Sequence, residues 1–168
     1  MRDNIILIGM PGVGKSSVGV VLAKACGYHF VDSDLVIQQT EGKLLSEIIE
    51  EKGNKGFLEI ENRINAGIDI NRTVLATGGS AVYGEDAMKH FKNIGIVLYM
   101  KAEYETINSR LSNLVGRGVA MKKDQTLRDL YEERCVLYEK YADITVSVDN
   151  MTIEEIISKI IDKTVKNR

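Results

Sequence analysis

Cysteine is scarce in this 168-residue chain: Cys26 and Cys135 are the two present, and neither has a second cysteine at Cys-x-x-Cys spacing. That excludes a thiolate metal clasp of the usual kind and leaves two reduced thiols, expected on or near core faces. An excess of one charge is missing too. The chain has 22 Lys and Arg against 24 Asp and Glu, a net charge of -2. No basic field offers itself to nucleic acid, so no nucleic-acid partner is expected. Long apolar runs are absent: none approaches the roughly 18–20 residues of a membrane span. Met1-Arg2-Asp3-Asn4 leads straight into a short strand, without the apolar stretch of about 7–15 residues found in a signal peptide. The expectation is a soluble, cytoplasmic protein with no membrane partner. No extended apolar seam stands out, and a monomer is expected.

What is present is the composition of a globular domain, 44% apolar and 27% charged. One domain spanning residues 1–168 is long enough to bury a sizeable core. Short apolar strands are expected at Asn4–Ile8, Tyr28–Asp32, Thr73–Thr77, Ile94–Met100 and Asp143–Val148. Helical patterns fall between them at Ser16–Cys26, Leu35–Thr40, Leu44–Glu51, Phe57–Ile70, Glu85–Lys92, Glu103–Leu114 and Thr126–Tyr141. Gly42 and a Gly53–Gly56 turn separate the second, third and fourth of these. Thr152 and Glu155 form a capping box for a last helix running to about Val165. Residues 113–125, with Gly116, Arg117, Gly118, Lys122 and Lys123, break the pattern and read as a mobile basic lid. Strand–helix alternation with short connections implies parallel strands and a three-layer α/β domain. Ligands in such sheets gather beyond the carboxyl ends of the strands.

Three unusual segments follow strands and should therefore meet on one rim. The first, Gly9-Met10-Pro11-Gly12-Val13-Gly14-Lys15-Ser16, fits G-x-x-x-x-G-K-[ST] and sits between an expected strand and an expected helix. Its glycines let successive N–H groups converge on a polyphosphate at a helix N-terminus. Gly12, Val13, Gly14, Lys15, Ser16 and Ser17 are assigned to ATP. Lys15 would reach the β- and γ-phosphates, and Ser16 would ligate Mg²⁺.

The second segment is Asp32-Ser33-Asp34. Phosphoryl transfer needs a carboxylate near Mg²⁺ and often one that orients the attacking hydroxyl. Asp32 is assigned to the Mg²⁺ shell. Asp34 is assigned to hold, and deprotonate, the acceptor hydroxyl. The third segment is Thr77-Gly78-Gly79-Ser80, whose glycines let a substrate approach the backbone. Arg117 in the lid is a candidate for neutralising charge on the transferred group. Arg110 is placed to stack on adenine.

Together, the P-loop with Pro11, the Asp32-Ser33-Asp34 turn, Gly78-Gly79, Arg117 in the lid, and Arg134 before Leu137-Tyr138 resemble the shikimate kinase family along nearly the whole chain. The resemblance implies a five-stranded parallel sheet in 2-3-1-4-5 order, helices on both faces, a substrate-binding segment at about 33–61 and a lid. It also implies transfer of the γ-phosphoryl group of ATP to the 3-hydroxyl of shikimate. By position, Asp34, Gly78, Gly79, Ser80 and Arg134 resemble substrate-binding residues; Asp34, Lys15 and Arg117 carry the catalysis.

Four departures stand out. The family's Phe-Arg-x-x-Glu is here Phe57-Leu58-Glu59-Ile60-Glu61, so the arginine that grips the acceptor's carboxylate is Leu58. Ser80 replaces a third glycine, Gly118 follows Arg117 in place of proline, and Val136 stands where proline is usual. A buried carboxylate left without its partner loses on the order of 10²–10³ in affinity. Leu58 therefore raises the alternative of another small hydroxylated metabolite as acceptor. A nucleotide-dependent switch is a further class, but Asn54-Lys55-Gly56-Phe57 lacks the aspartate of a guanine-reading motif.

Overall fold

The computed structural model describes residues 3–112 and 121–166. Strand β1, Asn4–Ile8, is buried at every position, as a central parallel strand must be. It lies between β3, Thr73–Ala76, and β4, Gly95–Lys101, with Ile6 level with Leu75 on one side and Val97 on the other. Strand β2, His29–Asp32, pairs with the outer side of β3, and β5, Ile144–Ser147, with the outer side of β4. All pairings are parallel and the order is β2-β3-β1-β4-β5. Buried Asn4 stitches the start of this sheet. Its Nδ2 donates to Ile70 O and Ile94 O at 3.1 and 2.9 Å, and its Oδ1 accepts from Thr73 N at 3.0 Å.

Among the described residues seven helices surround the sheet: α1 (Lys15–Cys26), α2 (Ser33–Glu41), α3 (Leu45–Ala66), α4 (Glu85–Ile94), α5 (Tyr104–Ser112), α6 (Leu127–Tyr141) and α7 (Ile153–Lys166). Helix α1 packs on β2, β3 and α7. Helices α3, α4 and α6 converge on a 3₁₀ turn at Ala81–Tyr83. The main core lies between sheet and helices and takes in Ile5–Ile8, Leu22, Leu75, Phe91, Leu98 and Tyr138. A second, smaller core joins α2 to α3 through Ile37, Ile48, Phe57 and Ile64.

The order and the strands agree with expectation. The α3 region agrees in part, as two helical segments meeting at Gly53. The break expected across Gly53–Gly56 is confined to Gly53 (φ 69°, ψ 175°), and the helix resumes at once and ends at Ala66 rather than Ile70. Glycine tolerates this positive φ, so the chain kinks there between the two helical segments. The last helix carries the expected box: Thr152 N donates to Glu155 Oε2 at 2.7 Å and Glu155 N to Thr152 Oγ1 at 3.2 Å. Cys26 and Cys135 both lie half-buried against the main core. Among the described residues no helix is long and apolar enough to cross a membrane.

Candidate active site

Strand β1 ends where the backbone must curl back into α1. Gly12 (φ 81°) and Gly14 (φ 101°, the N-cap) adopt left-handed conformations that other residues resist, which opens the loop around its own N–H groups. Lys15 is 7% exposed and folds over this loop, its Nζ donating to Gly9 O at 2.7 Å and Met10 O at 2.9 Å. Burial lowers its pKa to about 8, opposed by the charge of Asp34, while Arg134 lowers it further. A buried cation leaning on carbonyls is poised to exchange them for phosphate oxygens.

Ser16 and Ser17 are exposed at the start of α1. Ser16 Oγ donates to Asp32 Oδ2 at 2.8 Å. The other oxygen of Asp32 accepts from Asp34 N at 3.0 Å and caps α2. One carboxylate thus both starts a helix and faces the P-loop serine.

Asp34, in the first turn of α2, meets the glycine turn. A Cβ on Gly78 would lie 2.8 Å from both Asp34 Oδ1 and Glu61 Oε1. Ser33 Oγ accepts from Gly78 N at 3.3 Å. Ser80 Oγ donates to Glu61 Oε2 at 2.7 Å, while Glu61 Oε1 is buried without a hydrogen-bond partner. Burial raises the pKa of Glu61 to about 7, against the Ser80 hydrogen bond.

Arg134 on α6 is 1% exposed. A Cβ on Gly79 would lie 2.6 Å from Pro11 Cδ and 3.0 Å from Arg134 Nη1. Only a glycine leaves room for the P-loop proline and this guanidinium to crowd the same point of the turn. Tyr138, one helical turn after Arg134, donates to Gly79 O at 2.6 Å and packs on Tyr99 with ring centres 5.1 Å apart. Tyr83 lies under the Arg134 guanidinium, 5.4 Å from ring centre to Cζ, and donates to Glu133 Oε1 at 2.6 Å.

Most of the expected residues therefore converge: Gly12 to Ser16, Asp32, Asp34, Gly78, Gly79, Ser80 and Arg134. Arg110 is exposed on α5, and its Nη1 donates to Gly12 O at 3.3 Å and Val13 O at 3.1 Å, against the back of the P-loop. Arg117 lies outside the described residues, as does residues 113–120 of the expected lid. Leu58 is half-buried against the α2–α3 core.

Sequence reasoning passed over Glu61 as a site residue in its own right, along with Tyr83 and Glu133. Glu61 had a signal: Phe57, Glu61 and Ile64 follow helical spacing and are all buried. A carboxylate on an apolar face asks for a reason.

Comparison with known proteins gives one consistent answer. The family profile described as "Shikimate kinase" matches residues 11–165. A shikimate kinase of Thermodesulfovibrio yellowstonii is 37% identical over 161 residues, covering 94% of this chain and 92% of that protein. One from Alkaliphilus oremlandii is 34% identical over 169 residues, covering 96% and 98%. In structure, a shikimate kinase from Acinetobacter baumannii in complex with shikimate superposes with a TM-score of 0.89 at 30% identity, covering 100% of this chain and 96% of that one.

Proposed function

The chain belongs to the shikimate kinase family, and from that premise we propose that it transfers the γ-phosphoryl group of ATP to a hydroxyl of shikimate, giving shikimate 3-phosphate. It is a phosphotransferase with an alcohol acceptor. The observation that carries the acceptor reading is the position of buried Arg134. It sits against Gly79, where any side chain would meet both its Nη1 and the P-loop proline. A cation there can take an acceptor's carboxylate while the acceptor's hydroxyls face Asp34.

The donor side follows from Lys15 and the P-loop amides. Mg²⁺ fits the oxygen pair of Ser16 and Asp32, which already face each other at 2.8 Å. Among the described residues no group of three or more His, Cys, Asp or Glu forms a metal cage. A hard cation at this place would rely on that pair and on phosphate oxygens, as Mg²⁺ commonly does, and would neutralise phosphate charge. Asp34 orients the acceptor hydroxyl and takes its proton as the oxygen bonds to the γ-phosphorus. The bond from that phosphorus to the β–γ bridging oxygen breaks, and ADP leaves. Lys15 and, in the lid, Arg117 neutralise charge as it develops. Arg110 donates to the P-loop carbonyls of Gly12 and Val13 and is assigned to stack on the adenine.

With Leu58 in place of an arginine, Arg134 is the one buried guanidinium among the described residues that can take the acceptor's carboxylate. Lys15 and Arg134 are the only buried Lys or Arg side chains among the described residues, and Lys15 is assigned to phosphate. Adding shikimate to the full chain with ATP and Mg²⁺ should stimulate ADP release. No stimulation at millimolar shikimate would overturn the acceptor reading and favour another small hydroxylated metabolite.

A further inference from the structure

Among the described residues Arg134 is the one buried guanidinium at the acceptor site, so whatever fixes it matters more here than where two arginines share the load. Two side chains that the reaction itself does not use are arranged around it. The first is Tyr83, at the end of the 3₁₀ turn that follows Gly78-Gly79-Ser80, half-buried, with its ring under the guanidinium at 5.4 Å. The second is Glu133, beside Arg134 on α6, whose Oε1 accepts from the Tyr83 hydroxyl at 2.6 Å. Its Oε2 faces the N-terminal approach to α6, accepting from Gln125 Nε2 at 3.3 Å and lying 3.5 Å from Lys122 Nζ. Both oxygens of Glu133 are thus engaged by groups other than the arginine next to it, whose positive charge helps keep the carboxylate ionised. The carboxylate fixes the tyrosine, and the tyrosine in turn engages the guanidinium through its ring face.

We propose that Tyr83 and Glu133 are positioning residues for the acceptor site: Glu133 holds the Tyr83 hydroxyl, and the Tyr83 ring holds the Arg134 guanidinium in the pose that receives the acceptor's carboxylate. This rests on the reading of shikimate as acceptor. It goes beyond that reading in naming two residues that set affinity for the charged part of the acceptor without touching it.

The test uses the full chain with ATP and Mg²⁺ and two acceptors, shikimate and its uncharged methyl ester, the ester read as substrate or as competitive ligand. Tyr83→Phe keeps the ring and loses the tether; Tyr83→Leu loses both. Shikimate KM should rise about three- to tenfold for Tyr83→Phe and for Glu133→Ala, the worth of one hydrogen bond. It should rise further for Tyr83→Leu, with the KM for ATP and the constant for the ester moving less than about twofold on the same scale. Glu133→Gln still accepts from the hydroxyl and should stay close to the unaltered protein. A parallel rise for acid and ester would show a merely structural role and overturn the proposal, as would no rise in any variant. If Tyr83→Leu does not fold, Tyr83→Phe and the Glu133 pair decide. Failure of the unaltered chain to use shikimate would instead overturn the acceptor reading, and this inference with it.

Discussion

Ser80 and Glu61 form one buried unit: the serine hydroxyl donates to Glu61 Oε2 at 2.7 Å, on the rim where Asp34 and Arg134 also meet. Ser80 is itself a departure from the family pattern, and it gives the buried carboxylate a neutral partner. A neutral donor does not offset the cost of burying a charge, which is why Glu61 holds its proton up to about pH 7.

The folded-state pKa of Glu61 is raised from 4.5 to about 7, so folding favours the protonated form. The penalty for ionising it is absent below pH 4.5, grows between there and pH 7, and is complete above. By linkage this amounts to ~3 kcal/mol. Glu61→Gln removes the charge and keeps an acceptor for Ser80. Urea unfolding should show the variant more stable than the parent at pH 8, with the difference vanishing near pH 4.5. A constant difference across that range would contradict the assignment.

Lys15 is held near pKa 8 by burial, so a fraction is neutral in the ligand-free protein at mildly alkaline pH. Phosphate should restore its charge. Titration calorimetry at pH 8.5 in buffers of different ionisation enthalpy should show proton uptake on binding ATP. Lys15→Ala should abolish the uptake and lower kcat on the order of 10²–10³-fold. ATP binding without proton uptake would remove Lys15 from the phosphates.

Asp34 is assigned to the acceptor hydroxyl and not to the nucleotide. Asp34→Asn should cut kcat on the order of 10²–10⁴-fold while ATP binding, followed by calorimetry, stays near the parent value. Turnover close to the parent's would show that another group takes the proton.

Much of this arrangement was legible in the sequence because it lies in short contiguous patterns. The P-loop reads from eight residues, β1 from its unbroken apolar run, and Asp32 and Asp34 from their place after a strand. What was not legible depends on contacts between distant segments. Nothing near Tyr83 in sequence announces Glu133, 50 residues away. Arg110 reads as an arginine near the nucleotide, yet its hold on Gly12 O and Val13 O follows from how α5 folds back across the P-loop. Gly53 and Gly56 look alike in sequence; Gly53 alone leaves helical geometry. Glu61 had a local signal in its apolar row, but its partner Ser80 comes from another element.

Leu58 is half-buried beside the α2–α3 core, three residues before Glu61 on the same helix. Leu58→Arg would bring a second guanidinium toward the acceptor rim. It should lower the shikimate KM about tenfold or more, the worth of a charge-assisted hydrogen bond, in steady-state assays at saturating ATP. An unchanged KM would mean that position 58 does not face the acceptor's carboxylate in this chain.

The central claim is that this chain phosphorylates shikimate. Mass spectrometry of a reaction containing the full chain, ATP, Mg²⁺ and shikimate tests it most directly. The account predicts a product one phosphoryl group heavier than shikimate, formed in equal amount to ADP and absent for Asp34→Asn on the same timescale. ADP formed without that product, or no ADP at all at millimolar shikimate, would contradict it.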